Sequence, residues 1–134
     1  MKIKIIQDKN IAACPPQELF DWVYYFLMTQ KKKSVMANGK CAYRGLDDLK
    51  CAVGCCISDK AYRPKIECNE IKTAFDMIKL DAKNNFNLLR SLQKLHDNST
   101  PAQWPQEFKQ IATTHGLSTD IADICLESIE VVAS

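Results

Sequence analysis

The sequence predicts an α+β domain, predominantly helical, in which a small antiparallel hairpin or sheet is packed by four to five helices. Three observations lead to this prediction. Met1–Ile6 alternates Lys with Ile, which is the pattern of a short strand. Asn38 and Gly39 form a dipeptide that strongly favours a hairpin turn. Most of the remaining chain carries apolar residues at helical spacing.

Five stretches account for the predicted helices. The first is Pro16–Gln30. Proline is tolerated at the first position of a helix, because the backbone N–H of that position has no partner within the helix. Two more follow from the apolar stripes within 71–78 and 88–95. The segment 100–116 begins with Thr and Pro and ends with His and Gly, which are typical start and stop signals. A last helix is predicted over 118–129, with Ser as its cap and Ile121, Ile124, Cys125 and Ile129 as its buried stripe.

Length and composition limit the classes of protein that this chain can be. With 134 residues and no long linker, residues 1–134 are expected to form a single domain. A net charge of +2 lacks the excess of Lys and Arg that a nucleic-acid-binding protein normally carries. Neither a secretory signal nor the ~20 apolar residues of a membrane span can be recognised. An odd number of cysteines, seven, then favours reduced thiols and a cytoplasmic location over a disulfide framework.

The most distinctive segment runs from Cys41 to Tyr62. It reads C-A-Y-R-G at 41–45 and K-C-A-V-G-C-C-I at 50–57, and Asp59 and Tyr62 follow. A period of two makes 49–57 a strand and a period of 3.6 makes it a short helix, and a run this short leaves both open. We favour a hairpin strand that passes into a helical turn near Gly54. The missing side chain of Gly54 would allow another backbone, or a ligand, to approach closely.

This segment resembles a family of small proteins of tailed bacteriophages, T-even-type phages included, and of some bacteria. The shared motif is C-x-Y-R-G followed by K-C-A-x-G-C-x-I-x-D, and the resemblance extends to Gln17–Phe20, Leu92–Asp97 and Trp104. Two positions depart from it, since Cys56 replaces an aliphatic residue and Asp48 stands where the turn usually has glycine. The resemblance implies a phage-type context in the cytoplasm of the host cell, and it implies no particular chemistry.

A cysteine-dependent enzyme would use Cys51 as the nucleophile, His96 as the base and Asp97 as the group that orients the base. Near the start of a helix, the dipole would favour the Cys51 thiolate. The structural interpretation is that Cys51, Cys55 and Cys56 are small buried apolar residues. We prefer it, because sequence alone fixes no complete catalytic arrangement, and no catalytic residue is favoured.

A zinc site is not favoured either. Cys51 and Cys55 have roughly the spacing of a zinc-binding pair, but no second pair of cysteines accompanies them. His96 and His115 are the histidines that could substitute for a thiol ligand. We therefore expect neither a metal nor a cofactor.

Polar residues of the same segment form a candidate ligand site. The members that could line a pocket for an anion or a nucleotide are Tyr43, Arg44, Lys50, Asp59 and Tyr62. The structural alternative is an ion pair between Arg44 and Asp59 that joins the hairpin to the next turn, and we favour this alternative.

The function expected from these observations is that of a small phage-type accessory protein. It would bind a host or phage macromolecule, most simply a protein, without catalysis and without a membrane partner. Such binding predicts an exposed apolar patch of roughly several hundred Å². The alternative is a cysteine-dependent enzyme or a small-ligand-binding protein centred on 41–62 with His96. The sequence leaves the oligomeric state open.

Overall fold

Five α-helices and one pair of short strands form the regular structure of the chain, which the computed structural model describes over residues 1–134. The fold is α+β and predominantly helical, as predicted. None of the helices combines the length and the apolar character needed to cross a membrane. The elements in chain order are β1 (Lys2–Ile5), α1 (Asn10–Ala13), α2 (Pro16–Gln30), α3 (Ile71–Met77), α4 (Phe86–Asn98), α5 (Trp104–His115) and β2 (Glu130–Ala133).

The two strands pair in parallel, with Lys2 opposite Glu130 and Ile5 opposite Ala133. The prediction of an antiparallel sheet is wrong in this respect. Strand β1 is not paired with the hairpin that turns at Asn38 and Gly39. It pairs with a strand from the other end of the chain. Nothing in the local sequence pattern specifies so distant a partner.

The predicted helix over 118–129 is also wrong. The chain there makes two short 3-10 turns, Asp120–Asp123 and Leu126–Ser128, and then enters β2. Of the predicted apolar stripe only Ile121 is fully buried, while Ile124 and Cys125 are exposed. Most of the stability of a protein helix comes from packing of its apolar face, and this stripe is not buried as a unit. The residues directly after it, in β2, include two valines, which favour a strand.

Helix α2 is the centre of the core. It has the predicted bounds, with proline in its first turn, and it ends where Lys31 adopts a left-handed conformation with φ of 59°. The helix packs against β1, α4 and α5. Phe108 of α5 lies edge-on to Phe20 and Tyr24, at ring-centroid distances of 5.9 and 4.7 Å. The residues of α2 that are buried are Leu19, Phe20, Trp22, Val23, Tyr24 and Leu27.

Helices α4 and α5 pack against each other, and both pack against α2. A capping box between Thr100 and Gln103 opens the 3-10 turn that leads into α5. Gly116 closes α5 in the left-handed conformation, with φ of 67°, as predicted. The buried stripe of α4 includes one polar residue, His96, among four leucines.

The segment between α2 and α3 is mostly irregular and contains the predicted hairpin. Antiparallel bridges join Val35 to Cys41 and Arg44 to Lys50, and a 3-10 turn follows at Gly54–Cys56. Of the favoured interpretation of 49–57, the helical turn near Gly54 is present, whereas the predicted strand is reduced to a single antiparallel bridge at Lys50. A side chain at Gly54 would collide with the carbonyl oxygen of Tyr43, so a neighbouring backbone, not a ligand, occupies the space next to this glycine.

Candidate functional site

A cleft of about 440 Å³ opens along one face of α4. The other two walls are the hairpin residues 41–43 and residues 67–72, which comprise the loop before α3 and the first two residues of that helix. From α4 the cleft receives the side chains of Phe86, Arg90, Gln93 and Asp97. These positions follow one another at intervals of four, three and four residues, which places them on a single face of a helix. We call this space the α4 cleft.

Asp97 is the acidic residue that α4 contributes to the cleft. Its Oδ1 lies 2.8 Å from Nδ1 of His96 and accepts a hydrogen bond of 2.9 Å from Nε2 of Gln93. Burial alone would raise the pKa of Asp97, but the hydrogen bonds from His96 and Gln93 outweigh burial and the pKa is lowered overall. Asp97 is therefore a stable carboxylate at the edge of the cleft.

Both ring nitrogens of His96 are engaged. The ring is fully buried and lies roughly parallel to the indole of Trp104, with centroids 5.7 Å apart. The backbone N–H of Ser34 donates to Nε2 at 2.9 Å. Nε2 must therefore present a lone pair, and Nδ1 carries the proton that is donated to Asp97. In this state His96 has no free nitrogen with which to accept a proton from a thiol.

Cys41 completes a group of three side chains, because its Sγ, His96 and Asp97 all offer ligand atoms within 4.8 Å of one another. A metal ion in this group would need a lone pair on Nδ1 of His96. The hydrogen bond from Ser34 to Nε2 requires the opposite tautomer, so the group fits a hydrogen-bonded network better than a metal site. Burial, and then the charge and hydrogen bonding of Asp97, raise the pKa of the Cys41 thiol.

Of the residues considered for catalysis, the structure brings His96 and Asp97 together but does not bond Cys51 to either of them. The Cys51 sulfur is fully buried and accepts a hydrogen bond from the Gly54 N–H at 3.3 Å. Burial strongly raises the pKa of this thiol. Cys55 and Cys56 are buried as well, in agreement with the structural interpretation.

The predicted ion pair between Arg44 and Asp59 is confirmed, with 2.7 Å between Nη1 and Oδ1. Arg44 also donates to the Ile57 carbonyl at 2.9 Å and lies 4.6 Å from the ring centroid of Tyr62. Its guanidinium is thus held by groups of the same segment. Among the five residues of the predicted ligand site, Tyr43 is the one that lines the α4 cleft.

Glu67 holds the two walls of the α4 cleft together, and sequence reasoning missed it. Its two carboxylate oxygens accept hydrogen bonds from the N–H of Tyr43 at 2.9 Å, the N–H of Arg44 at 3.0 Å and the hydroxyl of Tyr62 at 2.6 Å. The donors in the hairpin are more than twenty residues away in the chain. No local pattern relates an acid in one loop to backbone groups in another.

Arg90 and Lys72, the two cationic residues of the cleft, were also missed. Arg90 is exposed, forms no ion pair and lies 6.0 Å from the ring centroid of Phe86. The nearest carboxylate oxygen to Lys72 is on Asp76, 4.0 Å away. The four-residue interval between Phe86 and Arg90 is a signal that could have identified the contact between these two side chains.

Few large apolar side chains reach the surface. Those that are exposed are Met1, Leu46 and Ile124, and they are far apart in the chain. The exposed apolar patch predicted for partner binding is therefore not found, and the α4 cleft is the more distinctive surface feature. Comparison of this chain with protein-family models, with curated proteins and with solved structures finds no match.

Proposed function

We propose that this chain is a small phage-type accessory protein of the host cytoplasm that binds a host or phage macromolecule without catalysing a reaction. The observation that carries the proposal is the α4 cleft. It is open and charged, and it contains an unpaired Arg90. The Cys41 thiol, which lies beside Asp97, has a raised pKa and is therefore not activated as a nucleophile. The seven free cysteines support a reducing compartment.

The same geometry argues against a thiol enzyme. Thiol catalysis needs a thiolate and a base that accepts its proton. In the cleft the pKa of Cys41 is raised and that of Asp97 is lowered, so the proton remains on the sulfur. The nitrogens of His96 are committed to Ser34 and Asp97. Binding requires none of these proton transfers.

The wall of the cleft is rigidly supported, which suits recognition. Gln93 accepts a hydrogen bond from the Val53 N–H at 2.9 Å and donates to Asp97, so α4 is bonded to the hairpin region. Lys33 donates to the Asp97 carbonyl at 3.1 Å. A surface fixed in this way loses little conformational entropy when a partner binds.

Capture from lysates of phage-infected cells tests the proposal with a matched pair of variants. The immobilised wild-type protein is compared with Arg90→Gln and with Lys94→Gln, which removes a charge from the same helix outside the cleft. We expect a protein that is retained by the wild type and Lys94→Gln and lost by Arg90→Gln.

Equal retention by the two variants, or retention of nothing by the wild type, would contradict binding through this cleft. Thiol labelling of the native protein separates the enzyme alternative. Fast reaction of Cys41 or Cys51, with a low pKa, would support that alternative and argue against the proposal, whereas reaction of the exposed Cys68 would not.

A further inference from the structure

Strand β2 has one edge that the chain leaves unpaired. The sheet consists of β1 and β2, so β2 has a single neighbouring strand. The Glu130 N–H donates to the Met1 carbonyl at 3.1 Å, so the backbone groups of Glu130 face β1. Because backbone direction alternates along a strand, Val132 also faces β1, whereas the N–H and C=O of Val131 and Ala133 face away from it. Neither Val131 nor Ala133 forms a backbone hydrogen bond elsewhere in the chain.

This edge of β2 is accessible. Ala133 is exposed, Val131 is half-buried, and β1 is the element against which β2 packs. Natural sheets protect open edges with lysine, proline or a bulge, because an open edge pairs readily with another strand. β2 contains neither lysine nor proline, and its register with β1 runs without interruption. Since a sheet of two short strands is at most marginally stable by itself, a further strand would stabilise this one.

A second copy of β2 fits the free edge in an antiparallel arrangement. Residues that exchange both backbone hydrogen bonds across such a pair must each have a free N–H and C=O. Val131 of one copy therefore pairs with Ala133 of the other, and the twofold axis passes beside Val132. The register that pairs Val131 with its own copy would need the Ile129 N–H, which already donates to the Leu126 carbonyl at 3.3 Å.

The side chains are compatible in this register. Val132 lies directly opposite Val132 of the second copy, and β-branched pairs of this kind stabilise sheets. Glu130 lies opposite Ser134 of the second copy and beside Lys2 of its own chain. Side chains of like charge are therefore not placed opposite each other.

The free edge of β1 does not accept its own copy in this way. The backbone groups that face away from β2 belong to Lys2 and Lys4. An antiparallel pair of β1 strands that used these groups would place lysine directly opposite lysine, which destabilises a sheet. The lysines thus protect β1, and β2 is the edge at which the chain can associate.

We infer that two copies of this chain form a dimer through antiparallel pairing of β2, which joins the two strands of each copy into one continuous sheet. None of the residues of β2 lines the α4 cleft, so the dimer leaves both clefts open and does not depend on the proposed binding function. Because the contact is one short strand, the dimer is weak and forms in proportion to protein concentration.

Sedimentation equilibrium of the wild-type protein and of Val132→Glu tests the association. The new carboxylate lies beside Lys4 of its own chain but directly opposite the same carboxylate of the second copy. Leu46→Glu is the matched control, because it adds the same charge at an exposed apolar residue outside the sheet. Over a roughly hundredfold range of concentration, we expect the average mass of the wild type and of Leu46→Glu to rise from monomer towards dimer. We expect Val132→Glu to associate at least about tenfold more weakly.

Disulfide cross-linking tests the register. Val132→Cys places two thiols across the twofold axis, at the Cα separation of about 4.5 Å of a non-hydrogen-bonded pair, which a disulfide can span. Glu130→Cys is the matched control, because its two copies are displaced along the strands by about 14 Å. Both variants also carry Cys68→Ser and Cys125→Ser, which remove the exposed thiols. We expect mild oxidation to cross-link Val132→Cys at least about tenfold faster than Glu130→Cys.

Four outcomes would overturn the inference. The first is a wild-type protein that stays monomeric over the whole range of concentration. The second is equal association of Val132→Glu and Leu46→Glu, and the third is cross-linking of Glu130→Cys as fast as that of Val132→Cys. The fourth is a mass that grows beyond a dimer, which would indicate head-to-tail pairing of β2 with β1. If circular dichroism shows that Val132→Glu does not fold, the wild-type mass and the cross-linking pair decide.

Discussion

Replacing Glu67 by Gln tests whether this carboxylate joins the two walls of the α4 cleft. The amide has one oxygen, which can still accept from the Arg44 N–H and the Tyr62 hydroxyl. Its NH2 group would then face the N–H of Tyr43, which loses its acceptor. The side chain keeps its shape, so the change acts on hydrogen bonding and charge, not on packing.

The expected loss follows from these contacts. A donor left without an acceptor costs about 1–3 kcal/mol. Each of the two remaining bonds changes from a charged to a neutral acceptor, which costs about 0.5–1 kcal/mol. Because Glu67 is only half-buried and water can replace part of the lost bonding, we expect Glu67→Gln to lower the free energy of unfolding by about 2–3 kcal/mol. For a domain of this size that corresponds to a fall in Tm of roughly 10 °C.

Urea and thermal unfolding monitored by circular dichroism measure the effect. Glu70→Gln is the matched control, because this neighbouring acid is exposed and accepts no backbone N–H, and we expect it to change stability by less than about 0.5 kcal/mol. Equal effects of the two substitutions would refute the role given to Glu67.

A spectrophotometric titration of tyrosine gives an independent readout of the same variant. Burial, and then the hydrogen bond and charge of Glu67, raise the pKa of Tyr62. Glu67→Gln should therefore lower the Tyr62 pKa, whereas Glu70→Gln should leave Tyr62 unchanged and lower the pKa of Tyr43 only slightly, because Glu70 is the smallest of the causes that raise it. An unaltered curve in Glu67→Gln would show that Tyr62 is not bonded to this carboxylate.

Three further predictions concern charge, backbone and thiols. Burial raises the pKa of Asp21 to about 6; its charge therefore destabilises the fold above pH 6, and this cost disappears towards pH 4. Asp21→Asn should stabilise the protein at pH 7 by about 1 kcal/mol after allowance for its partial exposure, and a gain that does not vary with pH in thermal scans would be inconsistent with this cause. Asp48 has φ of 63°, so Asp48→Gly should raise stability by about 0.5 kcal/mol in urea unfolding; a decrease would show that its side chain is needed in the turn. Mass spectrometry of the native protein after iodoacetamide treatment should find Cys68 and Cys125 alkylated, because they are exposed, and Cys51 unmodified, because it is buried; early modification of Cys51 would contradict its placement.

Local chemistry allowed much of the helical fold to be predicted. The bounds of α2 and the end of α5 at Gly116 follow from proline, glycine and apolar spacing, which act within one or two helical turns. The hairpin at 38–39 was predictable for the same reason, and the ion pair between Arg44 and Asp59 was predictable because both residues belong to one short segment.

The features that were not predicted depend on contacts between distant segments. β2 was missed because it is a four-residue strand whose pairing partner is at the other end of the chain. The α4 cleft needs the loop at 67–72 to lie against the hairpin, and that position depends on Glu67 and its distant donors. Local periodicity contains no information about such pairs.

The parallel pairing of β1 with β2 has a consequence for the order of folding. The two strands are at opposite ends of the described chain, so their contacts are among the least local in the molecule. Contacts of this kind form late, because the entropy of a very long loop must be lost before any bond is gained. We expect α2, α4 and α5 to associate first and the sheet to form last. A fluorescent probe on β1 would therefore report the completion of folding, and a probe on α2 would report its beginning.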